Sequence, residues 1–381
     1  MSEFKNLPSG WKVVRLGEIA KKSILKNRNS LIKLVLSNSA INGLVAQNEY
    51  FDKDIANKEN IQDYYVVDIG DFVYNPRISQ NAPTGPINRN MLSKGIVSPL
   101  YTVFSVQDET LAKFLAYFFK TIIWQNEIKS VANYGARHDR INITDNAFFS
   151  LKILLPPLDE QEKIAEILST WDEAINLTIN LIENKKQFKK ALMQNLLTAK
   201  IRFPEFQDEW LIVKLEEVSE IYQPQTISQS ELTDSGFDVY GANGIIGKYS
   251  RYNHEFEQVV ITCRGNTCGA VNFTKPKSWI TGNAMVINLD NSTKAIKTFI
   301  YYLLSNTNFQ YLISGSGQPQ ITSNIRYHKI KLPNLDEQQK IAEVLTACDD
   351  EINLLNLKLE NLKKQKQGLM QKLLSAKVRV K

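Results

Sequence analysis

Two stretches of this sequence repeat each other. Residues 155–200 read LPPLDEQEKIAEILSTWDEAINLTINLIENKKQFKKALMQNLLTAK, and residues 332–377 read LPNLDEQQKIAEVLTACDDEINLLNLKLENLKKQKQGLMQKLLSAK. Aligned without a gap, 26 of the 46 positions are identical, at a constant offset of 177 residues. Self-similarity of this length indicates that the chain arose by duplication.

The parts before the two copies also correspond, but more loosely. SGWKVVRLGEIA at residues 9–20 resembles DEWLIVKLEEVS at residues 208–219, and FLAYFF at 114–119 resembles FIYYLL at 299–304. Two similar helices therefore accompany two globular parts that have diverged. We predict globular domains at residues 1–154 and 204–331, followed by spacer helices at 155–203 and 332–381.

Apolar residues in both copies recur at alternating spacings of four and three, which is typical of a coiled-coil seam. The predicted seam of the first helix contains Ile164, Leu168, Trp171, Ile175, Ile182, Leu192 and Leu196. That of the second contains Ile341, Leu345, Ile352, Leu355, Leu359, Leu362, Leu369 and Leu373. The first seam is the weaker one, because Thr178, Lys185 and Lys189 interrupt it.

Charge favours one orientation for the helix pair. Both copies begin with a majority of acids and end with a majority of lysines, so antiparallel packing sets acid beside base and aligns the helix dipoles head to tail. We also predict capping boxes, with Asp159 and Asp336 as N-caps and Glu162 and Gln339 three residues later. The alternative is that each helix packs on its own globular domain or on a partner.

These observations predict an α+β protein. Two mixed α/β globular domains are joined and separated by two long α-helices, which form an antiparallel coiled coil with pseudo-two-fold symmetry. The 381 residues are 43% hydrophobic and 23% charged, which is ordinary for a globular chain. No apolar run reaches the ~20 residues of a membrane span, so we expect no membrane association. Residues 1–5 lack the apolar core of a signal peptide and three cysteines make no disulfide framework, so we expect a cytoplasmic location.

Catalytic and metal-binding motifs find little support. Residues 242–249, ANGIIGKY, lack the first glycine and the Ser/Thr of a phosphate-binding loop, and Asn243-Gly244 predicts a hairpin turn instead. Cys263 and Cys268, with His254 nearby, lack a fourth ligand at zinc-like spacing. We therefore expect no catalytic residue, no metal site and no cofactor bound by this chain.

Nucleic-acid binding is better represented. The net charge is +6, and residues 258–335 hold eight Lys/Arg against Asp290 alone. Side chains suited to base edges or phosphates cluster in two loops of each globular domain. In the first domain the candidates are Asn75, Arg77, Gln80, Asn81, Asn88, Arg89, Arg137, His138 and Arg140. In the second they are Arg264, Asn266, Gln318, Gln320 and Arg326.

The helix entries LPPLDEQ and LPNLDEQ, the helix ends LMQNLLTAK and LMQKLLSAK, and the openings at Trp11 and Trp210 resemble the specificity subunit of type I restriction-modification systems. The resemblance implies two target-recognition domains, each reading one half of a split site in double-stranded DNA. It also implies helices that set the spacer and dock two adenine methyltransferase subunits, with restriction/translocase subunits joining the complex. S-adenosylmethionine, ATP and Mg are then expected on those partner subunits.

Two other classes stay open. A coiled-coil assembly scaffold would share the helices but leaves the Arg/Asn/Gln loops unexplained. A stand-alone DNA methyltransferase or nuclease is disfavoured by the missing cofactor and metal motifs.

Overall fold

The computed structural model describes residues 7–47, 61–132, 139–315 and 318–380. The chain divides into two compact units: unit 1 is Met1–Leu177 with Lys358–Lys381, and unit 2 is Thr178–Leu357. Each long helix thus contributes one segment to each unit. Within the described residues, no helix is long and apolar enough to cross a membrane.

Unit 1 is built on a four-stranded antiparallel sheet in the order β2-β9-β6-β7, accompanied by the pairs β1-β10, β3-β4 and β5-β8. Its strands are β1 Lys12–Arg15, β2 Lys21–Lys22, β3 Leu36–Ser39, β4 Gly43–Ala46, β5 Tyr65–Val67, β6 Phe72–Tyr74, β7 Ile87–Arg89, β8 Gly95–Val97, β9 Thr102–Ser105 and β10 Lys152–Leu155. Its shorter helices are α1 Leu16–Ile19, α2 Glu109–Phe118, α3 Ile122–Val131 and α4 Asp145–Phe149, with a 3-10 turn at Ile61–Asp63. An aromatic core under the main sheet includes Phe72, Phe104 and Trp124.

Unit 2 repeats this plan. A four-stranded sheet has the order β12-β18-β15-β16, beside a three-stranded sheet β14-β13-β17 and the pair β11-β19. Its strands are β11 Leu211–Lys214, β12 Glu220–Tyr222, β13 Phe237–Gly241, β14 Gly244–Tyr249, β15 Val259–Thr262, β16 Val271–Phe273, β17 Trp279–Ile280, β18 Ala284–Asn288 and β19 Lys329–Leu332. It also has helix α6 Lys297–Ser305 and 3-10 turns at Leu215–Glu217, Gln229–Glu231, Gln310–Leu312 and Ser323–Tyr327. The predicted hairpin at Asn243-Gly244 is confirmed: Ala242 and Asn243 connect β13 to β14, and Gly244, the first residue of β14, has φ 93°.

The long helices are α5 Leu158–Leu196 and α7 Leu335–Leu374. All 15 predicted seam residues are buried or half-buried. The predicted capping boxes are wrong. Asn334 caps α7, because its side-chain oxygen accepts from the backbone N–H of Glu337 at 2.9 Å, and Asp336 lies inside the first turn. Asp159 likewise lies inside the first turn of α5.

Glu160, next to Asp159 in the first turn of α5, connects the helix to other parts of unit 1. Glu160 is only 2% exposed and accepts a hydrogen bond from the Trp11 indole N–H at 3.0 Å. Arg379, which follows the end of α7, donates to the same carboxylate at 2.9 Å. A buried carboxylate is costly unless it is paired and hydrogen-bonded, and here both partners are present. The start of α5 is therefore joined to the end of the chain within unit 1.

Unit 2 contains the same arrangement with the helices exchanged. Glu337, 1% exposed at the start of α7, accepts from the Trp210 indole N–H at 3.1 Å. Arg202, which follows the end of α5, holds both carboxylate oxygens at 2.9 and 2.8 Å. Charge-assisted pairs of this forked geometry are among the stronger polar contacts in proteins.

A second repeated cluster joins the helix segments to the globular parts. In unit 2, Lys189 of α5 bonds both carboxylate oxygens of Asp349 in α7 at 2.5 and 2.6 Å, and Tyr302 of α6 donates to Asp349 at 2.7 Å. In unit 1, Lys366 pairs with Asp172, and the Tyr117 hydroxyl donates to Asp172 at 2.9 Å.

The lysines that interrupt the seam therefore have acidic partners on the other helix. Lys185 also pairs with Glu351, at 2.8 Å. Because Lys185 lies before Lys189 while Glu351 lies after Asp349, the two helix segments of unit 2 meet in opposite chain directions.

Candidate nucleic-acid interface

In unit 1, the loop after β6 pairs with the segment that precedes α4. The Ile78 N–H donates to the Asp139 carbonyl at 3.0 Å, and the Ile141 N–H donates to the Pro76 carbonyl at 2.9 Å. These two bonds flank Arg77 and Arg140, which form an antiparallel bridge. This is the non-hydrogen-bonded type of antiparallel pair, in which Cα atoms lie about 4.5 Å apart and side chains are closest. Two arginines thus project side by side.

Unit 2 makes the same bridge at the equivalent place. The Gly265 N–H donates to the Pro319 carbonyl, and the Ile321 N–H donates to the Cys263 carbonyl, each at 3.0 Å. The flanked pair is Arg264 and Gln320. Arg264 follows β15 as Arg77 follows β6, so the two bridges are structural counterparts in which one arginine is kept and the other residue changes from arginine to glutamine.

Each bridge lies on a concave surface free of acidic lining. In unit 1 this surface also includes Asn38, Tyr64 and Tyr101, and in unit 2 it includes Gln223 and Arg326. The nearest acid, Asp139, is engaged by Arg140, whose hydrogen bonds hold the pKa of that carboxyl below its usual range. Within the described residues, Arg77 and Arg264 form no salt bridge. A cationic concavity of this kind suits a polyanion.

Some predicted candidates are engaged within unit 1. Asn75 is buried, donates to the Asn38 carbonyl at 3.1 Å and accepts from the Arg77 N–H, so it shapes the loop that carries Arg77. Asn88 donates to the Asn38 side chain at 2.7 Å. Arg89 lies at the far end of β7, where its guanidinium forms a salt bridge with Glu109. The structure does not bring Arg89 to the bridge.

The remaining candidates lie around the bridges or outside the described residues. Gln80 and Asn81 are exposed on the loop after β6, as are Asn266 and Gln318 on the equivalent loops of unit 2. Arg326 lines the unit 2 concavity and donates to the Ile221 carbonyl at 2.7 Å. Arg137 and His138 fall in residues 133–138, outside the part of the chain that the structure describes.

The sequence interpretation missed the Trp–Glu–Arg and Tyr–Asp–Lys clusters. A signal was present, because AKIR at residues 199–202 and AKVR at 376–379 repeat at the offset of 177, as do Asp172 with Asp349 and Lys189 with Lys366. The repeated arginine at each helix end had no assigned role. In the structure it holds the glutamate that begins the other helix.

Comparison with known families decides the identity. The family model described as "Type I restriction modification DNA specificity domain" matches this chain twice, at residues 8–185 and 207–364. The chain belongs to this family. It is a type I specificity subunit, and the two matches correspond to its two repeated domains.

Relatives and solved structures agree with this assignment. The type I restriction enzyme MjaVIII specificity subunit of Methanocaldococcus jannaschii is 26% identical over 98% of this chain and 94% of its own length. The type I restriction-modification S subunit from M. genitalium has a TM-score of 0.60 at 16% identity, covering 97% of this chain and 96% of that one. The HsdS subunit from Thermoanaerobacter tengcongensis has a TM-score of 0.53 at 18% identity, covering 99% of this chain and all of that one. At these identities the structural matches concern the fold.

Proposed function

We propose that this type I specificity subunit reads a two-part site in double-stranded DNA, with one half read by each unit. The observation that carries the proposal is the bridge found in both units, with Arg77 beside Arg140 in one and Arg264 beside Gln320 in the other. Arginine and glutamine make paired hydrogen bonds with base edges in the major groove. The two bridges lie at equivalent places but carry different residues, as recognition of two half-sites of different sequence would require.

The chain supplies recognition, and the chemistry belongs to partner subunits. Within the described residues there is no cluster of His, Cys, Asp and Glu arranged to hold a metal ion. Adenine methylation with S-adenosylmethionine, and cleavage or translocation with ATP and Mg, are assigned to the methyltransferase and restriction subunits that join this chain in a cytoplasmic complex.

The long helices act as the spacer in this proposal. Support comes from the seam burial and from the salt bridges between α5 and α7. Lys185–Glu351 and Lys189–Asp349 connect the two helices in opposite chain directions, as an antiparallel coiled coil requires, and Lys366–Asp172 is the counterpart in unit 1. At 1.5 Å rise per residue, inserting one heptad into each helix adds about 10 Å. The unread gap between half-sites should then grow by roughly 3 base pairs, given 3.4 Å per pair along a strand. An active variant with an unchanged gap contradicts the spacer role.

A face of the helix segments in unit 2 is suited to docking a methyltransferase subunit. Leu181, Phe188, Leu354 and Leu357 are exposed, at 42%, 56%, 66% and 63%. Leu181 and Phe188 lie seven residues apart on α5, and none of the four residues belongs to the predicted seam, so all four are free of the contact between the helices. Exposed apolar clusters on a charged helix pair mark protein interfaces.

The direct test is DNA binding by the complex of this chain with its methyltransferase subunits. Arg77→Ala and Arg264→Ala should each weaken binding by about 1 to 3 kcal/mol and relax readout in different halves of the site. Arg251→Ala, an exposed arginine outside both concavities, is the matched control. Equal losses on all duplex sequences for both variants would contradict base reading at these positions.

A further inference from the structure

We infer that each bridge reads two neighbouring base pairs, and that the second residue of the bridge decides which base is preferred at one of them. The unit 1 pair Arg77 and Arg140 selects guanine at both pairs, whereas the unit 2 pair Arg264 and Gln320 selects guanine next to adenine. This inference rests on the proposed function and names the bases that each unit recognises.

The spacing of the two side chains supports readout of a dinucleotide step. The backbone bonds that flank each bridge define a non-hydrogen-bonded antiparallel pair, with Cα atoms about 4.5 Å apart. Neighbouring base pairs are stacked at about 3.4 Å. Two long side chains that leave the backbone at this separation reach adjacent pairs without a change in backbone conformation.

The side chains of unit 2 are available for this contact. Arg264 and Gln320 are exposed, and within the described residues neither side chain makes a hydrogen bond or salt bridge. By contrast, the buried amides of Asn38 and Asn75 are occupied by the protein itself. The bridge in unit 2 therefore presents unpaired hydrogen-bonding groups on a fixed backbone, whereas the amides beneath the unit 1 bridge build the fold.

The two side-chain types differ in the base they match. A guanidinium donates twice, which fits the O6 and N7 acceptors of guanine, while a glutamine amide both donates and accepts, which fits N6 and N7 of adenine. In unit 1, the Nε and Nη2 groups of Arg140 donate hydrogen bonds to the Asp139 carboxylate at 3.2 and 3.0 Å, and these bonds orient the guanidinium. Unit 2 has Pro319 at the equivalent place, but an acid is not required for base contact in this inference, because within the described residues neither Arg77 nor Arg264 forms a salt bridge.

The experiment converts the unit 2 bridge into the unit 1 bridge. Gln320→Arg is assembled with the methyltransferase subunits, and the methylated motif is mapped by sequencing DNA modified by the complex. We expect one base pair in one half-site to change preference from A·T to G·C by at least tenfold, with the other half-site unchanged. Gln320→Ala should lose discrimination at that same pair. Ser323→Arg, which adds the same charge to the same concavity away from the bridge, should leave the motif unchanged.

Three results separate the outcomes. A Gln320→Arg complex that methylates the wild-type motif with wild-type preference overturns the inference, and so does a uniform change at every position, since that is the behaviour of a phosphate contact. In both cases the proposed function survives, because the wild-type complex still recognises a two-part motif. A wild-type complex with no two-part motif would overturn the proposed function itself.

Discussion

Glu160 and Glu337 lie 177 residues apart and make the same contacts in two different units. Each begins a long helix, is almost fully buried, and accepts from the indole N–H of a tryptophan, Trp11 or Trp210. Each is also held by an arginine that follows the end of the other long helix. Every unit is therefore closed by residues from both copies of the repeat, and the loss of either glutamate should affect one unit alone.

Replacing Glu337 with glutamine should lower the free energy of unfolding of unit 2. The variant leaves Arg202 without a charged acceptor, and loss of a charge-assisted pair that is partly open to solvent costs about 1 to 3 kcal/mol. Urea unfolding followed by tryptophan fluorescence measures the change. The control is Glu162→Gln, at an exposed acid two residues after Glu160 on α5. Equal stability of Glu337→Gln and the wild type would contradict the role given to this cluster.

Lys189 and Asp349 should be energetically coupled. A double-mutant cycle with Lys189→Ala and Asp349→Ala should give a coupling free energy of about 1 kcal/mol, because Lys189 is mostly buried while Asp349 stays partly exposed. Lys186, an exposed neighbour on α5, provides the control cycle with Asp349. If both cycles give the same coupling, the pair does not connect the two helices.

Aspartate substitutions at buried and at exposed leucines of α7 should have different effects. Leu359 is 9% exposed, so Leu359→Asp should destabilise the chain by burying a charge. Leu354→Asp with Leu357→Asp should leave stability unchanged but weaken assembly with the methyltransferase subunit at least tenfold, since burying a leucine contributes roughly 1.5 to 3 kcal/mol. Thermal unfolding and solution mass with the partner measure the two effects. Normal assembly of the variant with both Leu354→Asp and Leu357→Asp would contradict a docking role for this face.

Unit 2 should lose stability as the pH falls below neutral. Burial lowers the pKa of His254 and of His328, and the neutral His254 ring donates to Asn253 and accepts from the Tyr222 hydroxyl. In the unfolded chain both histidines bind protons near the ordinary histidine pKa of about 6.5, whereas in the folded chain they bind protons only at lower pH. The free energy of unfolding therefore falls as the pH drops through that range. Urea unfolding at pH 7.5 and 5.5 should show this loss, and His254→Gln should reduce it. A pH-independent wild type contradicts the effect.

Most of the architecture could be predicted from the repeat, because a duplicated helix with a coiled-coil period constrains the order of the elements. The capping boxes could not, since Asn334 and Asp336 are both good caps and only the backbone path selects between them. The repeat also could not assign the arginines at the helix ends, because their glutamate partners lie more than 130 residues away in sequence.

The reading surface was predictable in part. The correspondence between the loops that carry Arg77 and Arg264 followed from their order in the two domains. The sequence could not separate Asn75 and Arg89 from the exposed candidates. Their side chains bond to Asn38 and Glu109 respectively, and only tertiary folding brings these partners near. Nor could it place Arg77 beside Arg140, since that pairing joins segments 63 positions apart.

In the proposed function, each unit reads its own half of one DNA site. The most direct measurement replaces residues 204–331 with the equivalent segment of another type I specificity subunit that has tryptophan at the position of Trp210, and maps the motif methylated by the assembled complex. We expect one half of the motif to change, while the other half and the gap between them stay the same. A complex that methylates DNA with both halves altered, or with neither altered, would contradict it.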